Sequence, residues 1–398
     1  MMSTRRLPWT FGLILGLGYF GVTAVSPVYN TYTPLLLRDL GLSAGLVGFV
    51  MAWDNVLNMF LPAWAGARSD HTWTRWGRRK PWVLAAAPVA ALFFAAIPQM
   101  RTLAGLLAVI LAANLALSLL RAPGLALLGD LFAPAERAKA SGLINLLGGL
   151  GVLAALVGSG LLAARDAALP YRLGGLLLVA SALVFALLVH ERRSWGSSAG
   201  VGVGGVWRRL LGMARGQDRA AALVLLAAFF SFSGFNILET WVSSFGRYAL
   251  GVAPERLPFI LAVFAGALLT SALPAGFLGA RLGHRPAMAA GMLALALLFA
   301  AGLWVQSEAM LMGLLVPAGA AWALIIINLF PLLYQVGGEG SAGLFTGLYY
   351  TVTSAAAAAG PQVAGLLLDW SGQDFGWVWA LAAGLMAAGA LTLARVRE

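Results

Sequence analysis

The sequence has no cysteine, only three histidines, only two lysines beside 24 arginines, and just 10% charged residues over its 398 positions. Without cysteine there are no disulfides, thiolate nucleophiles or cysteine-bound metals. His71, His190 and His284 stand far apart and form no H-E-x-x-H, so metal-hydrolase chemistry lacks its ligands. No nucleotide-hydrolysing motif occurs, which argues against a primary pump. A literal G-x-G-x-x-G at Gly200, Gly202 and Gly205 has no strand before it and no βαβ unit around it, so it reads as a flexible linker. These absences point away from an enzyme and call for no cofactor and no metal.

What is present is apolar: hydrophobic residues make up 61% of the chain. A soluble domain carries roughly 25% charged residues, so this composition belongs to a polytopic all-α membrane protein. A bilayer core needs roughly 20 apolar residues per helix. Twelve such segments can be marked, from one centred near Gly21 to one near Leu385. The net charge of +11 is distributed by side. If each segment crosses once from a cytoplasmic Met1, nineteen Lys and Arg fall inside, six fall outside, and Arg121 lies within a segment. That bias follows the positive-inside rule, puts both termini in the cytoplasm, and accounts for the basicity without nucleic acid. The start, MMSTRRLPWTFGLILGLGYFG, has the pattern of a signal peptide. Its one candidate cleavage box, Ala24 to Ser26, is followed by Pro27, so an uncleaved first helix is expected. The arginine excess beside abundant Ala, Leu and Gly is compatible with a GC-rich bacterial genome, and the expected location is a bacterial inner membrane.

The polar stretch from His190 to Arg219 divides the segments six and six. The expected organisation is a six-helix bundle over 1–190, a cytoplasmic linker over 191–219 and a second six-helix bundle over 220–398. Within the linker, VWRRLLGMAR has the pattern of a short amphipathic helix on the inner leaflet. The halves repeat: GAR at Gly66 to Arg68 recurs 213 positions later at Gly279 to Arg281. The same offset carries Thr23, Ser26 and Asn30 onto Asn236, Glu239 and Ser243, polar positions on one helical face in each half. Such internal duplication is common in transporters.

The run Gly66 to Arg79 reads G-x-x-x-D-x-x-x-x-R-x-G-R-R and resembles the loop signature of the major facilitator superfamily. Its extended form SDHTWTRWGRRKP, together with GLSAGLVG at Gly41 to Gly48 and LALLGDL at Leu125 to Leu131, is similar to the glycoside–pentoside–hexuronide:cation symporters and the sucrose transporters. The likeness is specific from about Gly41 to Gly142 and general in the second half, through GARLGHRP. It implies two pseudo-symmetric six-helix bundles around a cavity open alternately to each side. Gly66, Asp70, Arg75, Gly77, Arg78 and Arg79 would then form a cytoplasmic gate whose ion pairs hold one state and break in the other.

Three charges lie inside segments: Asp54, Arg121 and Glu239. Each costs about 2.5–3.5 kcal/mol at a helix centre, so each calls for a functional or pairing partner. Asp54 has Asn58 one turn on, and Glu239 has Asn236 and Ser243 on its face. Where the resembled family begins a pair of cation-binding acids on its second helix, this chain has Asn58 and Pro62, with Asp54 a turn earlier. Where the family has D-x-P on the fourth helix, this chain has Arg121-Ala122-Pro123. A guanidinium repels sodium, whereas a carboxylate whose ionisation responds to burial and to an arginine can carry a proton. Asp54 with Arg121 is therefore the expected proton-coupling pair, with a static neutralising pair as the alternative. The expected substrate contacts are Glu239, Asn236, Asn58, Ser26, Asn328, Tyr349 and Tyr350. Trp53, Trp241, Trp322 and the two tyrosines are read as interface anchors or as platforms for a sugar ring. The reading is a monomeric, proton-coupled symporter of a sugar or glycoside. The alternative is an efflux antiporter for an amphipathic small molecule.

Overall fold

The computed structural model describes residues 9–70, 74–77, 79–131, 134–188, 212–213, 218–337 and 342–396, with the backbone alone at 9–12, 63, 66, 67, 70, 121–131, 134–141, 337, 342–344 and 346. Helices α1 (Trp9–Asp39), α2 (Ala44–Met51), α3 (Trp53–Asp70), α4 (Lys80–Ala96), α5 (Leu103–Leu131), α6 (Pro134–Ala163) and α7 (Leu169–Leu188) form the first half. The second half holds α8 (Arg219–Ser244), α9 (Leu257–Leu282), α10 (His284–Ala301), α11 (Glu308–Gly337), α12 (Ala342–Trp370) and α13 (Gly376–Ala394). Among the described residues twelve stretches are long and apolar enough to cross a membrane. In lipid no water can satisfy a backbone N–H or C=O, so each crossing is helical. Large side chains such as Leu187, Leu273 and Leu297 stay about three-quarters exposed, which marks the faces turned to lipid.

The segment read as one second helix has a break. Ala52 separates α2 from α3, although its N–H still reaches the Gly48 carbonyl at 3.0 Å, and Asp54 falls in the first turn of α3. The linker expected over 191–219 lies almost wholly outside the described residues.

The chain forms two compact units, one of residues 1–29 and 60–198, the other of residues 30–59 and 199–398. Two helices are therefore shared: α1 passes from the first unit to the second after Tyr29, and α3 returns to the first at Phe60. In the first unit α4 lies against α5 and α7. Thr23 of α1 donates its hydroxyl to the Gly148 carbonyl of α6 at 3.0 Å, and Asn114 of α5 donates to the Tyr29 hydroxyl at 3.1 Å. In the second unit α8 lies between α12 and α13, α9 pairs with α11, and α10 touches α11 and α13.

Water-driven burial does not hold helices together inside lipid, so close approach at small residues carries much of the association. A Cβ at Gly360 of α12 would stand 2.6 Å from the Ser233 carbonyl oxygen of α8, with backbone carbons next nearest. Backbone cannot swing aside as a side chain can. Gly360→Ala is expected to lower the melting temperature in detergent, at a cost of roughly 1–3 kcal/mol. Gly313→Ala, whose Cβ meets nothing within 4 Å, serves as control. Equal melting temperatures for the two variants would contradict this packing.

Candidate functional site

The polar groups inside the apolar helices of the second unit gather around Glu239. An isolated carboxylate here would be costly, and Glu239 of α8 has a donor: Asn30 of α1 gives its Nδ2–H to Oε1 at 3.1 Å. Asp54 lies near enough for its charge to act on Glu239, and Asn55 donates to Asp54 Oδ1 at 2.9 Å. Asn58, one turn further along α3, has a buried Oδ1 with no hydrogen-bond partner. Asn30, Asp54, Asn58 and Glu239 are all partly exposed. The site thus holds two carboxylates, two amides already spent on them and one amide oxygen lacking a donor.

Some of the expected contacts already have partners within the protein. Asn328 is fully buried and its polar atoms are taken. Its Nδ2 donates to the Ala275 carbonyl at 3.2 Å and the Leu324 carbonyl at 2.9 Å, while Oδ1 lies 2.8 Å from His284 Nδ1. It ties α9, α10 and α11 together and offers nothing to a substrate. Asn236 returns its Nδ2–H to the Phe232 carbonyl of its own helix at 2.8 Å. Ser243 is buried, and its hydroxyl has no partner. Ser26 is part-buried on the portion of α1 that belongs to the first unit. The backbone at Arg121 is helical, but its side chain lies outside the described residues, and with it the expected pair with Asp54.

Of the aromatic residues read as anchors or sugar platforms, Trp241, Trp322 and Tyr349 lie in the core. Trp322 is buried and stacks on Phe235 with centroids 4.2 Å apart. Trp241 is fully buried and donates its indole N–H to the carbonyl of Pro361 at 3.0 Å. Neither is an interface anchor. Tyr349 is buried against Phe330, at 4.1 Å, and Phe232, at 6.0 Å, whereas its neighbour Tyr350 is half exposed.

In the loop signature, Gly77 sits at φ 112°, a backbone conformation that favours glycine, and closes a tight turn with Thr74 through N···O distances of 3.1 and 3.0 Å. Arg75 is exposed, its guanidinium 5.0 Å from the Trp76 ring centroid. Arg79 is buried and donates to the Ser69 hydroxyl, which ties the end of α3 to the start of α4. Arg78 lies outside the described residues, and Gly66 and Asp70 are described by their backbone alone.

Asn30 and Asn55 are contacts that the sequence reading did not select. Asn30 was visible as part of a polar face on α1, but its partner stands 209 residues away. Asn328→Ala is expected to cost about 1–3 kcal/mol of stability, read as a lower melting temperature, with ligand affinity of the folded protein unchanged. Unchanged stability with weakened affinity would return Asn328 to the substrate contacts.

The family described as MFS/sugar transport protein matches residues 14–377. Over 96 residues the chain is 33% identical to an uncharacterized symporter of Synechocystis sp., a match covering 24% of this chain and 18% of that protein. Over 97 residues it is 34% identical to solute carrier family 45 member 3 of Homo sapiens, covering 24% and 17%. The chain thus matches less than a fifth of the length of these relatives. A crystal structure of a mutant of the nucleoside transporter NupG aligns over 97% of this chain and 100% of that one, with TM-score 0.79 and 17% identity. A bacterial homologue of the human lysosomal transporter Spinster aligns over 99% and 95%, with TM-score 0.73 and 16% identity.

Proposed function

Since the chain belongs to the MFS/sugar transport protein family and has its twelve-span, all-α fold, we propose that it is a proton-coupled symporter of a sugar or glycoside working by alternating access. On this reading it is a monomer in a bacterial inner membrane with both termini in the cytoplasm. The observation that carries the proposal is the pair of carboxylates, Asp54 and Glu239, set among amides on otherwise apolar helices. A proton on one of two neighbouring carboxylates removes their mutual repulsion, so occupancy of the site by a proton changes its energy strongly. Asp54 is the proton carrier, and Glu239, oriented by Asn30, accepts substrate hydroxyls as charge-assisted hydrogen bonds. The unpartnered Oδ1 of Asn58 favours a ligand rich in hydroxyl donors, because a buried acceptor left without a donor costs about 1–3 kcal/mol. Tyr350, half exposed beside Tyr349, is the aromatic contact of the site.

Purified protein in proteoliposomes tests this with labelled sugars, glycosides, nucleosides and amphipathic cations, with and without an imposed pH gradient. A sugar or glycoside should accumulate only with the gradient. Accumulation of a nucleoside, or export of an amphipathic compound, with no response to sugars would overturn the substrate class. Asp54→Asn should keep counterflow and lose gradient-driven accumulation; accumulation that persists in this variant removes Asp54 as the carrier. Glu239→Gln should weaken apparent affinity about tenfold at normal abundance, the effect of one lost charge-assisted hydrogen bond.

A further inference from the structure

The far end of α2 carries a contact that the proposed transport site does not use. α2 starts at Ala44, after Ser43 as its N-cap. The first N–H groups of a helix have no partner within it. Here they are taken by Asp369 of α12: Ala44 N–H donates to Oδ1 at 2.8 Å and Gly45 N–H to Oδ2 at 2.7 Å. The Ser43 hydroxyl also bonds this carboxylate, and Gln373 Nε2 donates to Oδ1 at 3.3 Å. Asp369 is next to the last residue of α12, where a negative charge opposes its own helix dipole. At the N-terminus of α2 the same charge is favoured. Its placement therefore makes sense through α2 and not through its own helix.

The approach depends on missing side chains. A Cβ at Gly45 would come within 3.0 Å of Asp369 Oδ2, one at Gly48 within 2.7 Å of the Pro361 carbonyl oxygen, and one at Gly365 within 2.4 Å of the Ala44 carbonyl oxygen. Gly48 and Gly365 thus bring backbone against backbone in this seam, while Leu366 Cδ2 lies 2.9 Å from where a Cβ at Gly45 would stand. The turn that leads into α2 is held a second time, by Arg38 lying 4.6 Å from the Tyr248 ring centroid and by Tyr248 O–H donating to Asp39 at 3.4 Å. Both polar ties lie where water reaches: Asp369 and Asp39 are exposed. Water can take over every one of these bonds on opening. The gripped stretch, residues 30–59, also runs on at both ends through α1 and α3 into the first unit.

We propose that Asp369 is a releasable latch, its carboxylate closed on the N-terminus of α2 in one state of the transport cycle and free of it in another. The proposal rests on the alternating-access reading; under the topology proposed above, the latch closes the outer side. The ties at the seam's solvent edge are hydrogen bonds to a carboxylate, and water replaces each of them when the contact opens, so release costs little.

The absence of native cysteine supplies the test, because one introduced cysteine is the only thiol. Val47 of α2 is fully buried and close to cysteine in size. With Val47→Cys as reporter, the rate of reaction with a water-soluble maleimide is measured on detergent-purified protein. Adding Asp369→Asn, which keeps the shape and removes the charge, should speed labelling about tenfold, the effect of losing one charge-assisted hydrogen bond. Gly48→Ala, which wedges the seam without touching the charge, should do the same. Val83→Cys, buried in α4 of the first unit, should stay slow in both backgrounds. Unchanged labelling at Val47→Cys in both variants overturns the latch, as does an equal rise at Val83→Cys, which means general loosening. No substrate is needed, so this outcome stands apart from the transport assay. A silent transport assay beside accelerated labelling would overturn the transport reading, and with it the latch's place in a cycle, while the tie of Asp369 to α2 would stand.

Discussion

A carboxylate on an apolar helix needs donors, and in the second unit the same stretch of chain, residues 30–59, supplies them twice. Asn30 gives its amide to Glu239 of α8, and Ala44 and Gly45 give their backbone N–H groups to Asp369 of α12. Asp54, from the same stretch, brings the second carboxylate to Glu239. Without Asn30, Glu239 would sit among apolar side chains at a cost of several kcal/mol, whereas Asp369, at the exposed end of α12, would turn to water. The path of α1, the break at Ala52 and the glycines of α2 all serve to deliver those groups. The polar site answers an electrostatic requirement; the exposed clasp uses the same stretch of chain but can exchange its bonds with water.

Packing follows a complementary rule. Lipid offers apolar surroundings as good as a neighbouring helix, so association depends on contact distance and on hydrogen bonds between helices. Glycine supplies the first, as where Gly360 meets the Ser233 backbone and Gly291 the Ala321 carbonyl. Buried polar side chains supply the second. Asn328 binds three helices through one amide group, and Trp241 reaches the Pro361 carbonyl of α12. Each such residue is polar and intramembrane, with its hydrogen-bonding groups engaged by neighbouring helices.

That distinction explains how far the sequence could be read. Run length, the low share of charge and the sided arginines sufficed for twelve all-α spans, and the Gly66 to Arg79 signature pointed to the family. Periodicity also placed Thr23, Ser26 and Asn30 on one face of α1. It could not name their partners, which lie on helices remote in sequence: Thr23 turns to α6 and Asn30 to α8. Asn328 and Asn236 carry the same side chain as Asn30, and only the neighbouring carbonyls show that theirs is spent on the protein. Asp369 escaped notice because it stands at the end of its segment, where an acid looks like ordinary solvent-facing polarity. Its meaning came from the backbone of α2, which carries no residue-specific signal beyond GLSAGLVG.

The central claim is that a sugar and a proton cross together through the site built on Asp54 and Glu239. The most direct measurement follows the pH of a weakly buffered suspension of proteoliposomes while an accepted sugar is added outside, in the absence of any imposed gradient. The account predicts that the medium turns alkaline as sugar enters and that Asp54→Asn abolishes this change while sugar still equilibrates. Sugar uptake by the unaltered protein with no movement of external pH would contradict it.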